Sequence, residues 1–143
     1  MNYIYHAKLT DDPDGGYLVT FPDVPEAITG GADHAEALRN ASEALGLALR
    51  GYLVGDRPLP IPCARADDLV PVPVEASDAL KLAVIEAFNA SGLTKTELAR
   101  RLGKAETEAR RILDPDYPSK LPILQAALAV LGKRVVVSIQ DAA

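Results

Sequence analysis

Five of the chain's eleven prolines fall between residues 58 and 73, and this cluster constrains the fold more than any other feature. Proline fixes its own φ and has no backbone N–H, so no helix continues through such a stretch. Within it, Val70, Val72 and Val74 alternate with Pro71 and Pro73. Both prolines lack an N–H on the same side of an extended strand, so that strand can pair on its other side only. The pattern therefore predicts an edge strand that closes one domain.

The residues before the prolines predict three short strands and a helix. Apolar residues alternate in Tyr3–Thr10 and in Tyr17–Phe21, and a turn-rich segment separates the two stretches, as in a β-hairpin. A third strand is predicted around Ala27–Thr29. Asp33 and Glu36 have the spacing of a capping box that begins a helix, and Gly55 in a left-handed conformation is expected to end it. We therefore predict a β-β-β-α-β domain over residues 1–75.

From Ser77 onward the pattern is helical, and Ser77 is expected to cap the first of four helices. The segment Arg134–Gln140 is instead rich in β-branched residues and predicts a terminal strand. One strand cannot satisfy its own backbone, so it pairs with the N-terminal sheet or with its copy in a second chain. We favour the second chain, because the 70–74 edge is blocked. This predicts a homodimer or a dimer-based higher oligomer, with Val135, Val137 and Ile139 on the buried face.

Residues 94–113 have the spacing of a helix-turn-helix. Thr94 and Glu97 have the spacing of a capping box that begins its first helix. Ala99 is small where a second helix must approach, and Gly103 supplies the turn. The residues expected to pack between the two helices are Leu98, Leu102, Ala109 and Ile112. This leaves four side chains on the outer face of the second helix for base edges and phosphates, and Lys95 at the start of the first helix for a phosphate. The four are Glu106, Thr107, Arg110 and Arg111. The segment resembles the repressor-type helix-turn-helix family, although it departs from that pattern at Lys104, Glu106 and Glu108. An ordinary helical hairpin is the alternative.

Charge and cysteine content narrow the classes of function. Residues 1–76 hold 5 Lys and Arg against 12 Asp and Glu, a balance of −7, whereas residues 77–143 hold 10 against 8, a balance of +2. An acidic half suits a basic protein partner, and a mildly basic half suits nucleic acid. The lone Cys63 excludes an internal disulfide and a cysteine-built metal site. No signal peptide or membrane-spanning stretch is recognisable, which predicts a cytoplasmic protein without membrane association.

Two stretches, residues 16–31 with their Phe-Pro-Asp turn and paired glycines, and residues 36–45 with a repeated Glu-Ala-Leu, resemble the HicB antitoxin family. The resemblance implies a partial ribonuclease-H-like fold without nuclease activity, which covers the active site of HicA, a small basic toxin that cleaves mRNA. It also implies that the complex represses its own operon by binding operator DNA. We expect toxin contact near the Phe-Pro-Asp turn, with Asp23 and Glu26 as exposed contacts and with Phe21 and Pro22 shaping the turn.

Catalysis by the chain itself is not expected, and neither is a cofactor or metal. A ribonuclease-H reaction needs several carboxylates that converge on two metal ions. Asp11, Asp12 and Asp14 instead share one tight turn, and Asp23 lies in another. Two alternatives to an antitoxin remain. A free-standing helix-turn-helix regulator with a ligand-sensing N-terminal domain predicts a pocket between sheet and helix, and a degenerate nuclease predicts metal-dependent RNA cleavage.

Overall fold

The computed structural model describes residues 1–142, which form four β-strands and five α-helices. The strands are β1 (Ile4–Asp11), β2 (Tyr17–Thr20), β3 (Ile28–Gly31) and β4 (Leu69–Pro73). The helices are α1 (His34–Val54), α2 (Ala76–Ser91), α3 (Lys95–Leu102), α4 (Glu106–Ile112) and α5 (Leu121–Val130). The α+β class and the β-β-β-α-β order are therefore confirmed, while the ribonuclease-H-like assignment stays a prediction.

The four strands form one antiparallel sheet in the order β3-β2-β1-β4. Strand β4 lies at the edge and pairs only with β1, with Pro71 opposite His6 and Pro73 opposite Ile4. This confirms the edge strand that the alternation of valine and proline predicted. The two missing N–H groups cost the sheet nothing, because they belong to the side of β4 where no strand follows.

Helix α1 begins as predicted, since the Asp33 carboxylate accepts a hydrogen bond of 2.8 Å from the Glu36 N–H. Its end differs from the prediction. Gly55 has a right-handed φ of −84°, and the left-handed residue is Asp56, with a φ of 54°. The N–H groups of Asp56 and Arg57 bond to the carbonyls of Leu53 and Tyr52, which is the Schellman pattern. In that pattern the left-handed residue follows the C-cap, and aspartate tolerates this conformation.

One face of the sheet packs against α1 and forms the core of the N-terminal part. Successive residues of a strand point to opposite faces, so the buried side chains of β1, β2 and β4 share this inner face. They are Tyr5, Ala7, Val19 and Val72, each at most 2% exposed. Ala37, Ala41, Leu45 and Leu49 of α1 are fully buried against them at helical spacing.

The second half is helical, as predicted. Helix α2 begins two residues earlier than expected: the Ala79 N–H bonds to the Glu75 carbonyl, so Ser77 lies within the first turn instead of capping it. Helix α3 packs against α4 and α5. Pro122 lies in the first turn of α5, where its missing N–H leaves no hydrogen bond unmade.

The predicted terminal strand is absent from the described chain: residues 134–140 have no regular secondary structure. A β-ladder needs a partner strand, and within residues 1–142 none lies beside this segment. Val136, Val137 and Ile139 are 84%, 79% and 90% exposed. Pairing with the N-terminal sheet is therefore wrong for the single chain, and pairing with a second chain stays a prediction.

The described chain divides into two compact units, Met1–Leu82 and a second unit that begins at Ala83. The division falls within α2, and Leu82 belongs to the core of the first unit. The predicted domain boundary between residues 75 and 77 stays a prediction. No helix formed by residues 1–142 has both the length and the apolar character needed to cross a bilayer.

Candidate protein-binding and DNA-binding surfaces

The Phe-Pro-Asp turn after β2 is anchored by its apolar side chains. Phe21 is 2% exposed and Val24 is fully buried, whereas Pro22 points to solvent. The Val24 N–H donates to the Phe21 carbonyl at 3.1 Å, and the Ala27 N–H donates to the Val24 carbonyl at 3.0 Å. Two tight turns therefore carry the chain from β2 to β3, and Phe21 shapes them from the core.

Asp23 binds the proline-rich segment that follows α1 in the chain. Its carboxylate accepts hydrogen bonds from the backbone N–H groups of Cys63 and Ala64, at 2.9 and 2.8 Å, and from the Cys63 thiol at 3.2 Å. Partial burial raises the pKa of Asp23, but the bonds from Ala64 and Cys63 outweigh it, and the pKa falls below the ordinary 3.8. The same contact raises the pKa of the Cys63 thiol, since the anionic acceptor opposes a thiolate. Asp23 therefore fastens this segment to the turn.

Glu26 holds the end of α1 in a similar way. Its carboxylate accepts a hydrogen bond of 2.7 Å from the Tyr52 hydroxyl and lies 3.7 Å from the Arg57 guanidinium, which stacks 4.0 Å from the centre of the Tyr52 ring. The hydrogen bond from Tyr52 lowers the pKa of Glu26, and it raises the pKa of Tyr52. The two carboxylates expected to touch the toxin are thus engaged within the chain, and toxin contact at this turn stays a prediction.

Asp23→Asn is expected to destabilise the first unit at neutral pH, because a neutral amide replaces a carboxylate that accepts several hydrogen bonds. The loss should be about 1–2 kcal/mol in the free energy of unfolding, as for one or two such bonds. A depressed pKa contributes stability above the ordinary value, and this is lost as pH falls through the folded pKa. Urea unfolding should therefore separate variant from parent at pH 7 and much less near pH 3. Asp14→Asn is the control. If the free energy of unfolding of Asp23→Asn differs from that of the parent by the same amount at both pH values, the proposed cause is wrong.

Helices α3 and α4 are joined by a tight turn at Gly103, whose φ of 65° is left-handed. The Thr94 hydroxyl caps α3 by accepting from the Glu97 N–H at 3.1 Å, as the capping-box spacing predicted. The residues expected to pack between the two helices are buried: Leu98, Ala109 and Ile112 fully, and Ala99 at 4% exposure, with Leu102 half-buried. The helical pair thus has the predicted internal packing.

All five predicted DNA contacts are exposed, and those of α4 lie together at its surface. The guanidinium of Arg110 donates to Glu106 at 2.8 Å, and Glu106 also accepts from the Thr96 hydroxyl at 3.3 Å. Arg111 lies 3.7 Å from Glu108 and 5.6 Å from the Tyr117 ring centre. Thr107 and Lys95 are exposed beside them. Arg110 and Arg111 are thus each paired with a glutamate one helical turn earlier, and a DNA phosphate would have to compete with these glutamates for the arginines.

A glutamate of α3 also binds arginines, and the sequence-based predictions did not include it. Glu97 accepts two hydrogen bonds from Arg100, at 2.9 and 2.6 Å, and one from Arg101 at 2.9 Å. The bonds from Arg100 and then Arg101 lower the pKa of Glu97 to about 2. The spacing of three and four residues was the available signal.

Comparison with known proteins bears on the first unit. A family described as "HicB_like antitoxin of bacterial toxin-antitoxin system" matches residues 4–83, from the start of β1 into α2. Antitoxin HicB of Escherichia coli K12 is 43% identical over 58 residues, which are 41% of this chain and 42% of that protein. Antitoxin HicB 1 of Photorhabdus laumondii is 39% identical over 69 residues, 48% of this chain and 44% of that protein.

A further relative is an uncharacterized 14.9 kDa protein of Haemophilus phage HP1, 42% identical over 45 residues, 32% of this chain and 34% of that protein. These matches span less than half the length of each relative. The family match covers more than half of the present chain and all four strands of the sheet. The chain therefore belongs to the HicB-like antitoxin family.

Proposed function

We propose that this chain is the non-enzymatic antitoxin of a toxin–antitoxin pair. Its first unit binds and inhibits a HicA-like toxin that cleaves mRNA, and its second unit binds operator DNA and represses the operon. The family match over residues 4–83 carries the proposal, because it spans the whole sheet together with α1. The same resemblance supports a partial ribonuclease-H-like description of that unit.

The charge of the first part supports a basic protein partner. Residues 1–76 have a balance of −7. The described ion pairs in the first unit are Arg50–Asp78 and Arg57–Glu26, which leave most of its carboxylates without a cation. The negative electrostatic potential that these carboxylates produce attracts a basic protein and speeds its association.

The exposed face of α4 supports DNA binding. Arg110, Arg111 and Thr107 present donors at the surface, and Lys95 begins the preceding helix. A recognition helix reads bases through side chains of this kind, and phosphate contacts beside it set the register. A ligand-sensing first unit has less support, since Phe21, Leu45 and Leu49 fill the space between the sheet and α1.

Co-expression with the product of the adjacent gene tests the protein-binding part. A tagged copy of this chain should retain an untagged small basic protein through purification, and it should restore growth to cells that express that protein alone. Growth arrest that persists despite soluble, folded chain would overturn the proposal. Metal-dependent cleavage of RNA by the purified chain would favour the nuclease reading instead.

The DNA-binding part is tested by removing side chains from α3 and α4. Arg110→Ala and Arg111→Ala should each weaken binding to the operon's own promoter DNA by about 1–3 kcal/mol if they contact base edges. Lys95→Ala should weaken binding to all sequences alike and flatten its salt dependence. Arg39→Ala, which removes an exposed arginine from α1, is the matched control. Unchanged affinity in all three variants would mean that α4 does not lie in a groove, and toxin neutralisation should survive each change.

A further inference from the structure

The face of the sheet that points away from α1 is open to solvent. We call it the outer face. Successive residues of a strand point to opposite faces, and residues that pair across strands share a face. The residues on the outer face are therefore Ile4, His6, Lys8, Thr10, Leu18, Thr20, Ile28, Gly30, Leu69, Pro71 and Pro73. None of these positions is buried. Helix α1 covers the inner face, whereas on the outer face Arg65 contacts His6, with a guanidinium nitrogen 3.2 Å from His6 Nδ1.

The composition of the outer face is unusual for a solvated surface. Antiparallel sheets that face water on one side normally carry polar residues there. Here most positions are apolar, and Lys8 is the one Lys, Arg, Asp or Glu among them. Ile28 is 62% exposed and Leu18 is 39% exposed, on neighbouring strands β3 and β2. Leu18 pairs with Gly30, two residues from Ile28, so the two side chains are diagonal neighbours. Contiguous exposed apolar surface of this kind is typical of a binding site.

Gly30 lies beside Leu18 and Ile28, and the backbone of the neighbouring strand leaves no room for a side chain there. A Cβ at Gly30 would lie 2.6 Å from the Tyr17 carbonyl oxygen, so any side chain there would disturb the β2–β3 ladder. The gap between Leu18 and Ile28 is therefore occupied by backbone alone. We define these three residues as the Leu18–Ile28 patch.

Carboxylates without ion pairs lie at one end of the same sheet. Strand β1 ends at Asp11, and the hairpin that follows carries Asp12 and Asp14. Strand β4 runs antiparallel to β1 with Leu69 opposite Lys8, so Asp67 and Asp68, which precede it, lie at that end too. Within residues 1–142, none of these five aspartates forms an ion pair. The outer face is thus bordered at its hairpin end, where Leu18 lies, by unneutralised negative charge.

We propose that the outer face is the docking surface for a basic protein, which covers the Leu18–Ile28 patch with apolar side chains and places lysines or arginines against the aspartates of the hairpin and of residues 67–68. This inference rests on the proposed function, in which that protein is the HicA-like toxin. Apolar burial supplies affinity, and the charge border sets orientation and association rate. Within the patch, Leu18 lies near the hairpin end of β2, whereas Ile28 pairs with Thr20 at the other end, next to the Phe-Pro-Asp turn.

Ile28→Lys in the full chain tests the apolar patch, with Leu47→Lys as a matched control. Leu47 is also 62% exposed but belongs to α1, on the opposite side of the sheet. The probe is the purified product of the adjacent gene, and the measurement is its dissociation constant by calorimetry. We expect Ile28→Lys to raise the dissociation constant about tenfold or more, as for a central interface residue, and Leu47→Lys to leave it within about twofold. Thermal unfolding of each variant confirms that it is folded.

Asp11→Asn and Asp68→Asn test the charge border independently. Each should slow association and weaken its dependence on salt, because exposed charges act mainly on the association rate. Glu43→Gln, an exposed carboxylate of α1, is the control. Equal slowing by Glu43→Gln would show that net charge alone matters, and it would overturn the assigned border.

The outcomes separate the surface from the proposed function. If the unaltered chain does not bind the adjacent gene product, both are overturned. If it binds and Ile28→Lys binds equally well, the surface assignment fails while the antitoxin function stands. Loss of binding with Pro22→Lys together with unchanged binding by Ile28→Lys would place the contact at the Phe-Pro-Asp turn instead.

Discussion

Gly31→Ala is expected to destabilise the first unit severely, although it adds a single methyl group. A Cβ at Gly31 would lie 2.3 Å from the Ala37 backbone nitrogen, 2.7 Å from the Ala37 Cα and 2.8 Å from the Glu36 carbonyl carbon. All three atoms belong to the backbone of α1, so no side-chain rotation relieves the clash. The helix must move away from β3 and open the core, at a cost of about 3 kcal/mol or more, the upper part of the range for overpacking.

Gly51→Ala is the matched control for that substitution. Gly51 lies within α1, and nothing stands within 4 Å of a Cβ built on it. Alanine favours helix over glycine by about 0.5–1 kcal/mol, so this variant should be more stable than the parent. Urea unfolding at pH 7 measures both. Equal midpoints for Gly31→Ala and the parent would mean that α1 does not lie as close to β3 as the structure has it.

Local patterns predicted much of the fold. The alternation of valine and proline in β4 requires an edge strand by covalent geometry alone, and the caps at Asp33, Thr94 and Gly103 depend on residues within one helical turn. The sequence also showed that Gly31 precedes a helix. It did not show why glycine is needed there, because the reason is an approach between β3 and α1 that only the packed fold creates.

Helix ends were predicted less well where two residues compete for one role. Gly55 was expected to take the left-handed position, but Asp56 takes it, because the Schellman bonds run from Asp56 and Arg57 to Leu53 and Tyr52. A helix one residue longer satisfies the pattern with aspartate in place of glycine. Ser77 was displaced from its expected capping role in the same way, by a shift of α2 towards Glu75.

The candidate site could be found from sequence only in outline. Asp23 meets Cys63 and Ala64, which are 40 and 41 residues away, and Glu26 meets Tyr52, which is 26 residues away. Contacts between residues so far apart leave no periodic pattern in the sequence. Asp23 and Glu26 were therefore predicted to be free carboxylates at the surface. The ion pairs of α3 and α4 are local and were readable from spacing.

Removing residues 133–143 is expected to abolish specific binding to the promoter DNA. Val137 and Ile139 of the tail are 79% and 90% exposed, an arrangement that costs solvation free energy unless a second copy covers them. A repressor that reads two half-sites needs two copies related by a two-fold axis, and one helical pair alone buries too little surface for specific affinity. An antiparallel ribbon of two tails would fix the separation of the two α4 helices.

Single substitutions in the tail distinguish a ribbon from unspecific stickiness. On a ribbon with Val135, Val137 and Ile139 buried, Val137→Lys should dissociate the dimer, whereas Val136→Lys should not, although both valines are similarly exposed in the single chain, at 79% and 84%. Val137→Pro should dissociate it more than Val137→Ala, because proline also removes an N–H. Sedimentation equilibrium of the full chain gives the mass, and promoter affinity should fall in step with it. If the chain without residues 133–143 remains dimeric, the two copies must be joined through the helices. The two α4 helices would then be related by a two-fold axis without any contribution from the tail.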